Sequence, residues 1–255
     1  MPTTSNDGVT LHYETTGDGP TVVFINDAGY GAWLWGWHHD AVAGPYEALV
    51  WDLRGTGESD TPGGPYDVAT LAADLEAVLS DHDARSAHLV GAGLGGMVAL
   101  QYAHEYDRER TLTLYNTAAS GDAVDVDALD ALSLDEGVEG SLSGAFSEQF
   151  RENATGLVDR IGEWRAAEDA AGEAFAAQAA AMTDFDAPPL YEVTAPAEVY
   201  YGVDDPVVPT ETLAQDLPRA SAQAVEGRHL SFVEHATAVT DRLVAFLDKY
   251  TESEG

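Results

Sequence analysis

The sequence predicts an α/β fold: a mostly parallel sheet of about eight strands, covered by helices on both faces, with a helical insertion. Short apolar runs of strand length alternate with segments whose apolar residues recur at helical spacing. Strands that alternate with helices form parallel sheets buried on both faces. The chain has 255 residues, of which 45% are hydrophobic, so one such domain can bury a sizeable core.

The apolar runs place the elements of this sheet in order along the chain. Before the insertion, strands are predicted at 9–14, 21–25, 48–51, 87–90 and 111–115, and helices at 66–82 and 95–106. After it, strands are predicted at 197–201 and 222–225, and helices at 210–217 and 232–249.

The composition changes between residues 120 and 189. This stretch is rich in Ala, Asp and Glu, has no strong strand pattern, and holds amphipathic pieces at 146–164 and 165–182. Pro188 and Pro189 mark the return to the sheet. The sequence therefore predicts a core made of residues 1–119 and 190–255, with a helical cap insertion at 120–189.

Acidic residues dominate the charge of the chain. It carries 45 Asp and Glu against 11 Lys and Arg, a formal net charge of −34. Such a chain repels phosphate backbones, so nucleic-acid binding is excluded as a function class. Dense carboxylates keep a surface hydrated, and salt screens their repulsion to within about 3 Å at 1 M. We therefore expect a halophilic source and loss of structure as salt is diluted.

Composition also limits cofactors and location. The chain has no Cys, which excludes disulfides and thiolate chemistry. Its first residues have neither a basic region nor an apolar run, and no stretch approaches the roughly 18 apolar residues of a membrane span. We expect a cytoplasmic protein that binds a small molecule, without membrane, metal or cofactor. The sequence makes no prediction of oligomeric state.

A Gly-rich turn joins the strand at 87–90 to the helix that follows it. An apolar strand, a sharp turn and an apolar helix are typical of a nucleophile elbow, whose pattern is G-x-S-x-G. Here the pattern is Gly91-Ala92-Gly93-Leu94-Gly95. Gly93 thus stands at the nucleophile position without a side chain. Glycine adopts the positive φ of an elbow freely, whereas serine stores roughly 1–3 kcal/mol of strain there.

Three further motifs accompany the elbow, in a fixed order. The first is Asn26-Asp27-Ala28-Gly29 after a strand, the second runs from Asp52 to Asp60, and the third pairs Gly202–Pro209 with Gly227-Arg228-His229. With all four motifs in this order, nearly the whole chain resembles the α/β-hydrolase superfamily. The most similar branch is that of small capped esterases, lactonases and C–C hydrolases.

This resemblance implies a set of site residues. Asp205, chosen over Asp204 by its spacing, would be the acid that orients His229, and the histidine would act as a general base near neutral pH. The backbone N–H groups of Ala28 and Leu94 would form the oxyanion hole.

The first motif departs from the family pattern. Asn26-Asp27 stands where the family has His-Gly. The Asp27 carboxylate either faces the pocket, where it would repel a developing oxyanion, or points away as a turn-former. Asn26, Asp27 and Trp33 are predicted to line the pocket, Trp33 as one of three tryptophans with Trp35 and Trp37.

Other polar residues carry weaker hypotheses. Asn116, Thr117 and Ser120 follow a strand and could reach the pocket rim, but no motif places them at the elbow. His38-His39-Asp40 lacks a third ligand at suitable spacing, which favours a surface or structural role over a metal site. Arg54 and Ser59 are expected to stabilise a turn beneath the site.

Three functions remain open at this point. The first is a serine-free enzyme in which His229 and Asp205 activate water or take a proton from a small apolar carbonyl-type substrate, as a hydrolase, a lyase or an enzyme of cofactor-independent chemistry. The second is a hydrolase-like protein that has lost catalysis and acts as a small-ligand binding or regulatory protein. The third is an esterase carrying a Ser→Gly substitution. We expect Gly93→Ser to give weak cleavage of para-nitrophenyl esters in high salt.

Overall fold

The computed structural model describes residues 2–208 and 212–251, which form an eight-stranded sheet in the order β1-β2-β4-β3-β5-β6-β7-β8. The pairs β1–β2 and β2–β4 are antiparallel, and all other pairs are parallel, which confirms the predicted fold class. The strands are β1 (Thr3–Asn6), β2 (Val9–Thr16), β3 (Thr21–Ile25), β4 (Glu47–Trp51), β5 (Ala87–Ala92), β6 (Glu109–Tyr115), β7 (Ala197–Gly202) and β8 (Ala220–Val225).

Helices flank this sheet. Helix α1 packs with α11, and α2 packs with α3 and with β1. The helices are α1 (Gly36–Val42), α2 (Val68–Asp81), α3 (Leu94–Glu105), α4 (Val126–Asp130), α5 (Val138–Ala145), α6 (Glu148–Asn153), α7 (Thr155–Glu168), α8 (Gly172–Thr183), α9 (Leu213–Asp216), α10 (Ser231–Glu234) and α11 (Ala236–Thr251). No helix of the described residues is long and apolar enough to cross a membrane.

Some elements differ from the sequence prediction. Strand β1 was not predicted, because its sequence TTSN has no apolar residue and its side chains are exposed or half-buried. The predicted helix at 232–249 is two helices, α10 and α11, separated at His235. Of the helix predicted at 210–217, only Leu213–Asp216 is helical, and residues 210 and 211 lie outside the described residues.

Between β6 and β7 the chain forms helices α4 to α8 and three short 3-10 turns. We call residues 121–192 the helical segment. Helix α8 packs on α3, and α7 packs on the 3-10 turn Ala32–Trp35. The two amphipathic pieces seen in the sequence are interrupted at Ala154 and again after Glu168, so they form α6, α7 and α8.

The carboxyl ends of the parallel strands meet at one edge of the sheet, the usual place of a site in such folds. The loops after β3, β5, β6, β7 and β8 bring Asp27, Gly93, Asn116, Asp205 and His229 to this edge. The fold therefore gathers residues that are far apart in the sequence.

Candidate active site

The tight turn at Gly93 connects β5 to α3. Gly93 has φ 47° and ψ −114°, the positive φ expected from the sequence, and α3 begins at the next residue, Leu94. Two contacts hold the turn in place: the Gly93 N–H donates to the Tyr115 carbonyl at 2.9 Å, and the Thr117 hydroxyl donates to the Gly93 carbonyl at 2.6 Å. The turn is thus fixed by β6 and by the residues after it.

The Asp27 carboxylate lies directly against Gly93. Its Oδ1 accepts hydrogen bonds from the backbone N–H groups of Ala28 at 2.7 Å and Leu94 at 2.8 Å, and its Oδ2 contacts Nε2 of His229 at 2.7 Å. A Cβ added at Gly93 would overlap this carboxylate. Of the two orientations open from the sequence, the structure shows the one that faces the centre.

Asp205 holds the other side of His229. The Nδ1 of His229 lies 2.9 Å from Oδ1 and 3.1 Å from Oδ2 of Asp205. Asp205 also accepts hydrogen bonds from the Asn116 amide and from the Val207 N–H, both at 2.8 Å. Asp204 is exposed. The structure therefore brings together Asp205 and His229, as the spacing predicts.

Burial and charge determine the protonation of this centre. The side chains of Asp27 and Asp205 are fully buried and that of His229 is 1% exposed. Burial alone would lower the pKa of His229, but Asp205 and then Asp27 outweigh it and raise this pKa to about 10. Burial would raise the pKa of Asp205, yet His229 and the hydrogen bonds from Asn116 and Val207 hold it below its ordinary value.

At neutral pH the His229 ring is therefore an imidazolium that donates from both nitrogens, to Asp27 and to Asp205. In this state it is a proton donor and has no free lone pair. This differs from the sequence expectation of a general base near neutral pH. The cause is the second carboxylate, Asp27, whose direction the sequence left open.

The remaining predicted residues form hydrogen bonds with groups other than His229. Asn26 is buried and its amide donates to the Trp51 carbonyl of β4 at 3.2 Å. Trp33 donates from Nε1 to Asp169 at 2.7 Å. The Ser120 hydroxyl accepts from the Asp122 N–H, so the structure places neither this hydroxyl nor that of Thr117 on His229.

The motif residues outside the centre have structural contacts. Arg54 forms a buried ion pair with Asp74, and the Ser59 hydroxyl donates to the Asp52 carbonyl. His38 is buried, its Nδ1 contacts the Thr240 hydroxyl, and burial lowers its pKa to about 4. Within residues 2–208 and 212–251, no group of three or more His, Asp or Glu side chains is arranged to hold a metal ion.

Three further side chains near the centre were not assigned by any sequence motif: Tyr30 of the loop after β3, and Arg165 and Asp169 of the helical segment. Tyr30, fully buried, lies beneath the Arg165 guanidinium at 4.7 Å, and Arg165 pairs with Asp169 at 2.6 Å. Among the described residues the Tyr30 hydroxyl has no hydrogen-bond partner. Burial raises its pKa well above the ordinary value, and Asp27 and Asp205 are among the charges that act on it.

The same segment closes over the loop that carries Asp27. The Gly29 N–H donates to Oε1 of Gln178 at 2.6 Å, and the Ala170 N–H donates to the Gly29 carbonyl at 2.8 Å. The Gly31 N–H donates to Asp169 at 2.9 Å. The centre is therefore covered by α8 and by the residues that precede it.

Two neighbouring cavities of about 510 and 720 Å³ are lined by residues of α1 and α7. Their linings share four residues, and neither lining includes Asp27, Gly93 or His229. Trp33, which the sequence placed in the pocket wall, lines both. The shared lining residues are Trp33, Gly36, Asp40 and Glu168.

The eight-stranded, mostly parallel sheet flanked by helices is the fold of an α/β hydrolase. The alpha/beta hydrolase family model matches residues 22–242, and the chain belongs to this family. It is similar to 3-oxoadipate enol-lactonase 2 of Acinetobacter baylyi, with 28% identity over 253 residues that cover 95% of this chain and 94% of the relative.

Solved structures agree with this assignment. A hydrolase from Pseudomonas aeruginosa PA01 superimposes with a TM-score of 0.86 and 29% identity, over 95% of this chain and 96% of that one. The enol-lactonase from Burkholderia xenovorans LB400 has the same fold, with a TM-score of 0.87, 24% identity, and coverage of 97% and 100%.

Proposed function

We propose that this chain is a serine-free hydrolase whose working groups are Asp27, His229 and Asp205. One observation carries the proposal: a single carboxylate, that of Asp27, contacts Ala28, Leu94 and His229 at once. In a serine hydrolase the N–H pair binds the substrate oxyanion, and the histidine contacts the serine hydroxyl. In this chain Asp27 makes both sets of contacts, so it takes the place of the serine side chain.

This arrangement argues against acyl transfer from a carbonyl substrate. A substrate carbonyl oxygen could enter the N–H pair only by expelling the Asp27 carboxylate, and Gly93 offers no hydroxyl for an acyl-enzyme. It also argues against an esterase with a Ser→Gly substitution, because a serine Cβ at residue 93 would overlap Asp27. Gly93 and Asp27 fit each other as a pair.

The charge of Asp27 would control the role of His229. While the carboxylate is ionised, the imidazolium serves as an acid, since its pKa is about 10. Once Asp27 is neutralised or displaced, one of the two charges that raise this pKa is gone, and His229 can accept a proton from water. Asp205, held by Asn116, keeps the ring oriented in both states.

We further propose that residues 120–189 act as a cap over this centre. The cap would contribute Gln178, Asp169 and Ala170 to the loop after β3, which closes the site against solvent. A substrate would enter when α7 and α8 move away from this loop.

Labelling and turnover test the proposal together. A fluorophosphonate reagent, which labels activated serines, should not modify the protein in molar KCl. Hydrolysis is measured with a panel of small epoxides, alkyl halides, lactones and esters. For each substrate that the wild type hydrolyses, Asp27→Asn and His229→Gln should each lower the rate by at least about 100-fold. Asp204→Asn, an exposed neighbour of Asp205, is the matched control and should be unchanged.

Two results would contradict the serine-free assignment. The first is stoichiometric fluorophosphonate labelling of a hydroxyl in the chain. The second is a steady hydrolysis rate that survives His229→Gln.

A second candidate function is the binding of a small ligand by a hydrolase-like protein that has lost catalysis. It is favoured by the internal pairing of Asp27, His229 and Asp205, and by the 720 Å³ cavity lined by Trp33, Trp37 and Trp164. On this account, small molecules extracted from the purified protein would be chemically intact, and their rebinding would quench tryptophan fluorescence less in Trp164→Phe. Steady conversion of the extracted compound would exclude it.

A further inference from the structure

The two oxygens of the Asp27 carboxylate have different surroundings. Oδ1 is fixed by two backbone N–H groups at 2.7 and 2.8 Å, next to the N-terminus of α3. Among the described residues, Oδ2 has one hydrogen-bond partner, Nε2 of His229 at 2.7 Å. A carboxylate oxygen has two lone pairs, so Oδ2 keeps one that these hydrogen bonds do not use. The carboxylate is thereby oriented, with Oδ1 held by two N–H groups and Oδ2 by His229 alone, and its side chain is fully buried.

We propose that Asp27 is a covalent nucleophile, and that Oδ2 attacks a saturated carbon of an alkyl electrophile such as an epoxide or an alkyl halide. The inference rests on the proposed serine-free function and names its substrate class. A saturated carbon is favoured over a carbonyl because displacement at such a carbon creates no oxyanion on that carbon. The N–H pair of Ala28 and Leu94, already occupied by Oδ1, is therefore not needed in the first step.

The first step forms an ester and releases a leaving group. The Oδ2–carbon bond forms with an electron pair from the carboxylate, while the bond from carbon to halide or to epoxide oxygen breaks and its pair leaves with that atom. Aspartate carboxylates act as covalent nucleophiles in other hydrolases and in ATPases. The product is an alkyl ester of Asp27 that has lost its negative charge.

The second step hydrolyses this ester. Oδ1 is now a carbonyl oxygen, and it already lies against the N–H groups of Ala28 and Leu94. With only Asp205 left as its charged partner, His229 passes its Nε2 proton to solvent or to the leaving group and then takes one from water. That water attacks Cγ of Asp27, the N–H pair binds the oxyanion, and the alcohol leaves with the proton from His229. The Asp27 carboxylic acid that results passes its proton to His229, which restores both the imidazolium and the carboxylate, and the carboxylate now carries one oxygen from water.

Tyr30 supplies a donor for the leaving group. Its hydroxyl is fully buried, has no hydrogen-bond partner among the described residues, and interacts electrostatically with Asp27 and Asp205. An opening epoxide leaves as an alkoxide and needs a proton or a strong hydrogen bond, whereas bromide leaves unaided. Tyr30→Phe should therefore slow epoxide opening more than bromide release, which a purely structural role of Tyr30 would not produce.

Phe175 of α8 limits access to this centre. It packs against Gly29, beside the residues that hold Asp27, and it is buried. Phe175→Ala removes the ring without removing a polar partner, so it opens a path for an electrophile. We expect this variant to react faster than the wild type with the same reagents.

The test uses glycidyl para-nitrophenyl ether and bromohexane with the full chain in molar KCl. In heavy-oxygen water, wild type and Phe175→Ala should acquire heavy oxygen in the peptide that contains Asp27. His229→Gln should instead accumulate a hydroxylamine-sensitive ester on the same residue, because the base of the second step is missing. Asp27→Asn should do neither, and Asp204→Asn should behave like the wild type.

The outcomes separate this inference from the proposed function. Turnover that needs Asp27 and His229 but leaves all heavy oxygen in the alcohol would overturn the covalent step and retain the serine-free function, with water attacking the substrate directly. Absence of both ester and heavy oxygen in wild type and in Phe175→Ala would also overturn the inference. Turnover that survives His229→Gln, or fluorophosphonate labelling, would remove the proposed function itself.

Discussion

At the scale of single residues, the missing side chain at Gly93 and the direction of the Asp27 carboxylate are linked, because the carboxylate occupies the space that a Cβ at residue 93 would need. The sequence motif identified Gly93 as the nucleophile position without a side chain, and the family pattern marked Asp27 as unusual. What the sequence could not supply was the direction of the Asp27 side chain. The reason is physical: a carboxylate after a strand forms turns as readily as it enters a pocket. The two directions of the Asp27 side chain are distinguished only by tertiary packing, since Gly93 has no side chain and leaves room for the carboxylate.

This pairing changes the expected effect of restoring a serine. Gly93→Ser alone should give no more para-nitrophenyl acetate hydrolysis than the wild type, because its Cβ overlaps the Asp27 carboxylate. Asp27→Gly combined with Gly93→Ser should exceed each single variant by at least about tenfold, a strong coupling expected of residues in contact. Equal rates in the double variant and in Gly93→Ser would show that Asp27 does not block the site.

Stability should depend on pH through His229. The pKa of this ring is 6.5 in the unfolded chain and about 10 in the fold, so its contribution is fully present below pH 6.5 and is lost as pH rises through 10. Within that window the free energy of unfolding should fall by up to ~1.4 kcal/mol per pH unit. Guanidinium unfolding at several pH values measures this slope, and His229→Gln should flatten it. A wild-type slope equal to that of His229→Gln would contradict the assignment.

At the scale of secondary structure, most strands and the presence of a helical segment were predictable, and the contacts of that segment with the core were not. Buried strands such as Thr21–Ile25 show as continuous apolar runs, and the turn at Gly93 has a specific pattern. The contacts of Gln178, Asp169 and Arg165 with the loop after β3 follow no motif. They depend on how α7 and α8 lie over the core, which local sequence does not encode.

A substitution of Gln178 tests whether this side chain holds the helical segment against the loop after β3. Gln178 is fully buried, accepts from the Gly29 N–H and donates to the Arg54 carbonyl. Gln178→Ala leaves both backbone groups without this partner, so it should lower the free energy of unfolding by about 1–3 kcal/mol. Gln101→Ala, which removes an exposed contact with Glu105, is the control and should stay within about 0.5 kcal/mol of wild type. Equal effects of the two variants in guanidinium unfolding would mean that Gln178 does not hold the segment closed.

At the scale of the whole molecule, we expect the net charge of −34 to determine the salt concentration that the fold needs for stability. The carboxylates repel each other at low ionic strength, and salt screens that repulsion. We expect native circular dichroism in molar KCl and a cooperative loss of signal as KCl is diluted. Full native signal and an unchanged melting temperature in low-salt buffer would refute the predicted salt adaptation.

The protonation of His229 tests the central claim most directly, since it reports whether two carboxylates contact the ring. Nitrogen NMR of the imidazole should show both ring nitrogens protonated at neutral pH in the wild type, with release near pH 10. In Asp27→Asn the release should move to lower pH, while Asp204→Asn should leave it unchanged. A wild-type ring that titrates near pH 6.5, or one that Asp27→Asn does not affect, would contradict the account.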